Sequence, residues 1–199
     1  MQTSAYDALQ DIIGNLGGID IRRRGSEGVQ SDINIRGTTF EQNTLLIDGI
    51  SMNDPQTGHY TMDLPLTSFD KEYVEILKGP ASSLYGANSF GGVINVITKK
   101  PEDKKLIVSA AGGARDYFSG GISLSQPLAD LKNRFSIEWN RAGSYIPDSG
   151  FDIINLSESS MISTDYGDYD FFFGYSKKNY GANTFYSNLY PREAESTDT

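Results

Sequence analysis

The sequence predicts a chain in two parts. An α+β part with one short helix and a small sheet comes first, and a run of longer antiparallel β-strands follows. Three observations predict this. Ala8, Leu9, Ile12, Ile13 and Leu16 recur at helical spacing near the start, and Gly17-Gly18 stops the run. Past residue 103 the β segments lengthen to about ten residues, each with one apolar and one polar face. The aromatics also shift: residues 1–103 hold 7 of the 23, residues 104–199 hold 16. That is more tyrosine and phenylalanine than a buried soluble core needs, and it suits a surface that is apolar with wet ends. The polar run from Lys99 to Lys105 marks the change, so the expected domains are 1–103 and 104–199.

Taken in order, Ala5 to Leu16 reads as a helix covering a small sheet. Ile19 and Ile21 open an extended segment. Arg22, Arg23 and Arg24 come next, near Asp20, Glu27 and Asp32. In a chain of net charge −9 these arginines are expected to pair with carboxylates rather than to hold phosphate. Asp32 to Gly37 alternates polar and apolar, as a half-buried strand does. Thr44 to Gly49 is a second strand, closed by the Asp-Gly turn signal. Ile50 to Asp63 is a long polar loop. Val74–Leu77 and Val93–Ile97 are two more β segments. Between them lies a corner built from Gly79, Pro80, Ala81, Ser82, Ser83, Tyr85, Gly86, Gly91 and Gly92. Glycine permits φ > 0 and close backbone approach, and proline bars helix and ladder alike.

In the second half, strands are expected near 107–114, 117–125, 134–140, 151–162 and 169–176. Short turns at 127–133 and 164–168 alternate with longer loops at 143–150 and after Lys177. That alternation fits an outer-membrane barrel. A soluble β-sandwich alternates too, and by pattern alone the two readings stand level.

Composition excludes several functions. The acidic charge argues against a nucleic-acid partner. With no cysteine there is no disulfide, thiolate nucleophile or cysteine metal site. There is one histidine, no Ser–His–Asp set of defensible spacing, and no Gly-Lys-Ser/Thr ending after Gly79 to Gly92. The chain is read as no enzyme, with no cofactor and no bound metal. It has no apolar run long enough for a transmembrane helix.

Five motifs in order then decide the reading. They are Ile35-Arg36-Gly37, Leu46-Ile47-Asp48-Gly49, Val74-Glu75-Ile76-Leu77-Lys78-Gly79-Pro80, Leu84-Tyr85-Gly86, and Gly91-Gly92-Val93-Ile94-Asn95-Val96-Ile97-Thr98. Together they resemble the plug domain of TonB-dependent outer-membrane receptors over about residues 5–100. The β segments past residue 103 resemble that family's first barrel strands. The resemblance implies an α+β plug, a small mixed sheet with short helices, and then part of a 22-stranded transmembrane β-barrel. It implies the bacterial outer membrane, the TonB complex and membrane lipid as partners, and ligand-gated transport. It also leaves room for a surface lipoprotein. No TonB box is visible before Tyr6, and the plug strand that normally precedes the helix is missing. The expectation is therefore an N-terminally truncated plug with about five strands of a C-terminally truncated barrel.

By motif, Arg36 and Lys78 resemble the basic plug residues that lock onto barrel glutamates, and those glutamates are expected past Thr199. Lys78 stands where many members have arginine, which keeps the charge and loses the bidentate fork. The stretch from Leu45 to Pro65 looks most similar to cobalamin-type receptors. Asn53, Asp54, Gln56, His59 and Tyr60 on its apical loop are the candidate substrate contacts, with donors, acceptors and a stacking face. Ferric-siderophore or haem uptake is the alternative cargo, and a soluble or surface binding module the alternative class. Tyr180, Phe185, Tyr186 and Tyr190 read either as ligand contacts or as an interfacial aromatic girdle.

Overall fold

The computed structural model describes residues 9–25, 29–101, 103–183 and 185. The start of the predicted helix, Glu27, Gly28, Tyr186 and Tyr190 lie outside them. The described chain divides into two compact units. One holds the residues up to 64 together with 71–98; the other holds 65–70 together with those from 99 on. The short segment 65–70 was not expected to join the strands.

In the first unit, Leu45 to Ile47 is a continuous apolar run because neither face of that strand meets water. β3 (Asn43–Ile47) is buried along its whole length. β1 (Ile19–Arg24) and β2 (Gln30–Ile35) form an antiparallel pair, with Ile19 opposite Ile35. β2 is buried at five of its six positions, more than the half-buried strand expected. β4 (Ile50–Ser51), β3, β6 (Gly92–Thr98) and β5 (Lys71–Lys78) make a mixed sheet in that order. β3 and β6 run parallel, and the other two pairings are antiparallel. The helix α1 (Leu9–Gly14) buries Leu9 and Ile13. Leu45, Leu46, Ile94 and Val96 are fully buried in the sheet, and burying each such side chain stabilises by roughly 1.5–3 kcal/mol.

Asp48-Gly49 turns β3 into β4 with both residues at positive φ, 48° and 84°. This is the hairpin geometry that Asp-Gly favours. The Asp48 carboxylate also accepts from the Thr98 amide at 2.8 Å and the Thr98 hydroxyl at 2.5 Å, clamping the end of β6. The corner between β5 and β6 contains a short helix, α2 (Ser82–Tyr85), and a 3-10 turn, Ala87–Ser89. Gly86 joins them at φ 91°, ψ 179°, a region open essentially to glycine alone. A Cβ on Gly92 would lie 2.5 Å from the Leu77 carbonyl oxygen, so nothing larger fits beside β5. Ala81 seats the corner against Leu46 and Val93.

In the second unit, β7 (Lys105–Gly112), β8 (Phe118–Leu128), β9 (Leu131–Ala142), β10 (Phe151–Thr164) and β11 (Gly167–Tyr180) form one antiparallel meander. The five expected strands are present; β7 keeps its expected length but starts two residues earlier, and the other four are longer. The turn read at 127–133 shrinks to Ala129-Asp130, because Pro127 sits near the strand end, opposite Lys132, where a missing N–H is tolerated. The strand read as ending near residue 176 continues to Tyr180, opposite Phe151.

The two faces of this sheet are inverted relative to a soluble protein. Ile122, Leu124, Phe135, Ile137, Trp139, Tyr169, Phe171, Phe173 and Tyr175 are exposed, while Ser123, Ser125, Arg134, Ser136, Glu138, Asn140, Asn155, Ser157 and Ser159 are buried. A sandwich buries its apolar faces. A transmembrane barrel turns them outward to lipid and keeps the polar face inside.

Candidate functional site: a basic corner, a braced apical loop and a seated segment

Arg36 and Lys78 come together at one end of the first unit. Arg36 follows β2 in the left-handed region, φ 53°, and its amide donates to the Gly18 carbonyl at 2.8 Å. Its guanidinium lies beside Gly79, 3.8 Å from where a Cβ there would be. Lys78 ends β5, and its ammonium donates to the Gly17 carbonyl. Arg36 is exposed and Lys78 half-buried. Among the described residues neither meets a carboxylate. This end carries two positive charges side by side.

The apical loop is braced from within. Asn53 uses its amide on the backbone of β3: its oxygen accepts from the Leu45 amide at 2.9 Å and its nitrogen donates to the Asn43 carbonyl at 3.0 Å. Asp54 accepts from the Gln56 and Thr57 amides at 2.6 and 2.9 Å, an Asx turn. The His59 imidazole stacks on Phe40, centroids 4.4 Å apart. Its Nδ1 lies 2.9 Å from Asp32 Oδ1. The other oxygen of Asp32 takes Arg24 at 2.9 and 3.2 Å. Buried Asp32 thus joins β1, β2 and the loop. Gly58 is required there, since a Cβ would come 2.7 Å from the Phe40 ring. Of the five predicted contacts, Asn53 and Asp54 are engaged in shaping the loop. Gln56 is exposed, and His59 and Tyr60 are half-buried. The arginine run behaves as expected at two positions, since Arg23 pairs with Asp11 and Arg24 with Asp32.

Within the second unit lies an arrangement that the sequence did not lead us to expect. Segment 65–70 rests on the inward face of the strands. Asp70 accepts from the Thr67 amide and hydroxyl at 2.7 and 2.8 Å, closing a tight turn. Its other oxygen accepts from Arg134 at 3.1 Å, with both side chains buried. The Ser68 amide and hydroxyl donate to Glu138 at 3.1 and 2.5 Å. The signal was present: Arg134, Ser136, Glu138 and Asn140 alternate with Phe135, Ile137 and Trp139, so the charges lie on the face away from the aromatics. What the inward face would hold was not legible.

Tyr180 and Phe185 are stacked at 5.8 Å and nearly fully buried. Neither belongs to an exposed aromatic girdle. Both cap the inner face near Phe151.

Residues 1–93 match the family model described as "TonB-dependent Receptor Plug Domain". Just under half of the chain thus resembles a TonB-dependent receptor plug domain. Solved receptors share the fold of the plug and the strands after it. The ferric yersiniabactin uptake receptor FyuA from Yersinia pestis is 23% identical, with TM-score 0.65, covering 85% of this chain and 28% of the receptor. The siderophore receptor PirA from Pseudomonas aeruginosa is 26% identical, with TM-score 0.62, covering 89% and 33%. The pyoverdine outer membrane receptor FpvA from Pseudomonas aeruginosa PAO1 is 19% identical, with TM-score 0.66, covering 88% and 26%. The chain therefore spans a quarter to a third of the length of these receptors. FpvA is described as an outer membrane receptor, and the outward apolar face of these strands suits a bilayer setting.

Proposed function

We propose that this chain is the plug, residues 1–103, and the first barrel strands, 104–199, of a gated transporter that takes up a scarce metal chelate, driven through TonB. One observation carries the reading: a plug domain runs directly into strands whose apolar face is outward and whose polar face is inward. That polarity gives an enzyme or a soluble binding module no use. The transporter performs no covalent chemistry. Its work is to bind, seal and release.

In this reading Arg36 and Lys78 hold barrel carboxylates, and their hydrated setting keeps the lock cheap to rearrange. Gln56, His59 and Tyr60 offer the cargo an amide, an imidazole and a phenol, on a loop that Asn53, Asp54 and Asp32 keep in shape. Cobalamin is the first cargo proposed, on the likeness of the stretch from Leu45 to Pro65 to cobalamin-type receptors. A ferric siderophore is the second, favoured by the siderophore receptors among the solved relatives. A surface lipoprotein joins either reading as an accessory.

Fractionation and growth test this. The protein is expected in the outer-membrane fraction; recovery in the soluble fraction would sink the transporter reading. A deletion strain is expected to fail when cobalamin limits growth. Normal growth there, with failure on ferric chelates, would move the cargo to the siderophore class. Lys78→Ala is expected to loosen plug seating and raise resting pore conductance in planar bilayers, and an unchanged conductance would remove Lys78 from the lock.

A further inference from the structure

We propose that Pro65–Asp70 is a fixed anchor of the plug, held in a cradle on the inward face of β8, β9 and β11 throughout transport. The inference rests on the transporter reading but concerns a different place from the Arg36–Lys78 corner.

The cradle is shaped for this segment. Gly121 on β8 leaves room for the Phe69 ring, which a Cβ there would approach to 2.8 Å. Gly174 on β11 leaves room for Pro65, whose carbonyl oxygen would lie 2.3 Å from a Cβ. Two strands thus carry no side chain at the points where the segment rests on them.

The chemistry fixes its register. The segment offers an acid at Asp70 and donors at Ser68; β9 offers a base at Arg134 and an acid at Glu138. Arg134 and Glu138 lie four residues apart on one face, about 13 Å along the strand. Sliding the segment toward Glu138 would set two carboxylates together and strip Arg134 of its partner. Only one seating satisfies all four groups.

Leaving the cradle is costly for a specific reason. Arg134 is 4% exposed, and its Nε and Nη1 have no partner among the described residues, so Asp70 is its sole counter-charge there. A buried charge left unpaired is strongly unfavourable. The contrast with the basic corner is direct. There Arg36 is exposed and Lys78 meets only a carbonyl, so hydration can replace what is lost. The corner is suited to open and the anchor to stay.

These 199 residues hold no cysteine, so in the full receptor, with any cysteine elsewhere replaced by serine, a clean test is available. Ser68→Cys and Glu138→Cys are introduced together and bridged with a short bis-methanethiosulfonate, which reductant cleaves. Uptake of radiolabelled cyanocobalamin, ferric citrate, a ferric hydroxamate and a ferric catecholate is measured before and after bridging. Bridged and unbridged receptors are expected to agree within about twofold. Transport by the unbridged form that falls tenfold on bridging and returns with reductant would overturn the anchor. If neither wild type nor the unbridged pair carries any of the four, the transport reading is what fails. A second measurement then still judges the anchor without any cargo. Asp70→Ala is expected to raise the leak of a large antibiotic through the outer membrane about tenfold, and adding Arg134→Met is expected to lower it again, because the unpaired charge is gone. A leak unchanged in Asp70→Ala, or equal in the single and double variants, would refute the anchor.

Discussion

The two sheets share a grammar and differ in solvent. In the mixed sheet of the plug, Leu45, Leu46, Ile94 and Val96 are inside and Glu72 and Glu75 of β5 are out. In the meander, Phe135, Ile137 and Trp139 are out, and Arg134, Ser136 and Glu138 are in. Each packs by the same rule, which is to match each face to what it touches. The difference shows that strand alternation encodes two faces without saying which is buried. Length and aromatic density say that, because only a face against lipid repays so many large exposed side chains.

Four substitutions and one control would break or sharpen this contrast. Leu46→Ala opens a hole in the plug core and is expected to cost about 2–5 kcal/mol. Faster amide exchange across β3 and β6 would register it, with β8 to β10 little changed. Ile137→Lys puts a charge on the outward face and is expected to cost roughly 2–4 kcal/mol if that face meets the bilayer midplane. Its control is Ile50→Lys. Ile50 is even more exposed, at 70% against 45%, yet the change there is expected to fall within about 0.5 kcal/mol. Urea unfolding in lipid vesicles compares the two; equal costs would dissolve the distinction between the sheets. Asp48→Ala loses both bonds to Thr98 and places a Cβ-bearing residue without a local acceptor in the left-handed region. A loss of about 1–3 kcal/mol is expected, visible as earlier exchange of the Thr98 amide. Ile122→Val removes one lipid-facing methylene and is the smallest, at about 1 kcal/mol or less.

Much of the fold was legible because local rules and tertiary needs agree. Asp48-Gly49 signals its hairpin by itself. The glycines of the corner mark where backbone must approach backbone. The five strands announce themselves through Phe135, Ile137, Trp139 and their counterparts. Strand ends were less legible, since cross-strand pairing carried β8 past Pro127 and β11 out to Tyr180. The site was harder to read. Asn53 and Asp54 look like ligand groups in a polar loop, yet their side chains satisfy backbone amides and carbonyls, a demand that residue type alone does not reveal. Arg36 and Lys78 were legible as a pair, and the structure brings them to one corner. Asp70 and Arg134 were not, because they are 64 positions apart and the direction of the face decides whether they can meet.

The length of β10 and β11 has a consequence at the cell surface. Each strand has 14 residues, where a tilted crossing of the bilayer needs about 9–11. A two-residue turn, Asp165-Tyr166, closes one end of the pair, and short turns of outer-membrane barrels face the periplasm. In the proposed transporter the surplus of about four residues would lie at the Phe151–Tyr180 end and lift that rim about 10 Å beyond the hydrocarbon. In the proposed transporter loop 143–150 would be carried on this raised rim, within reach of antibodies, phage and proteases that never cross the membrane.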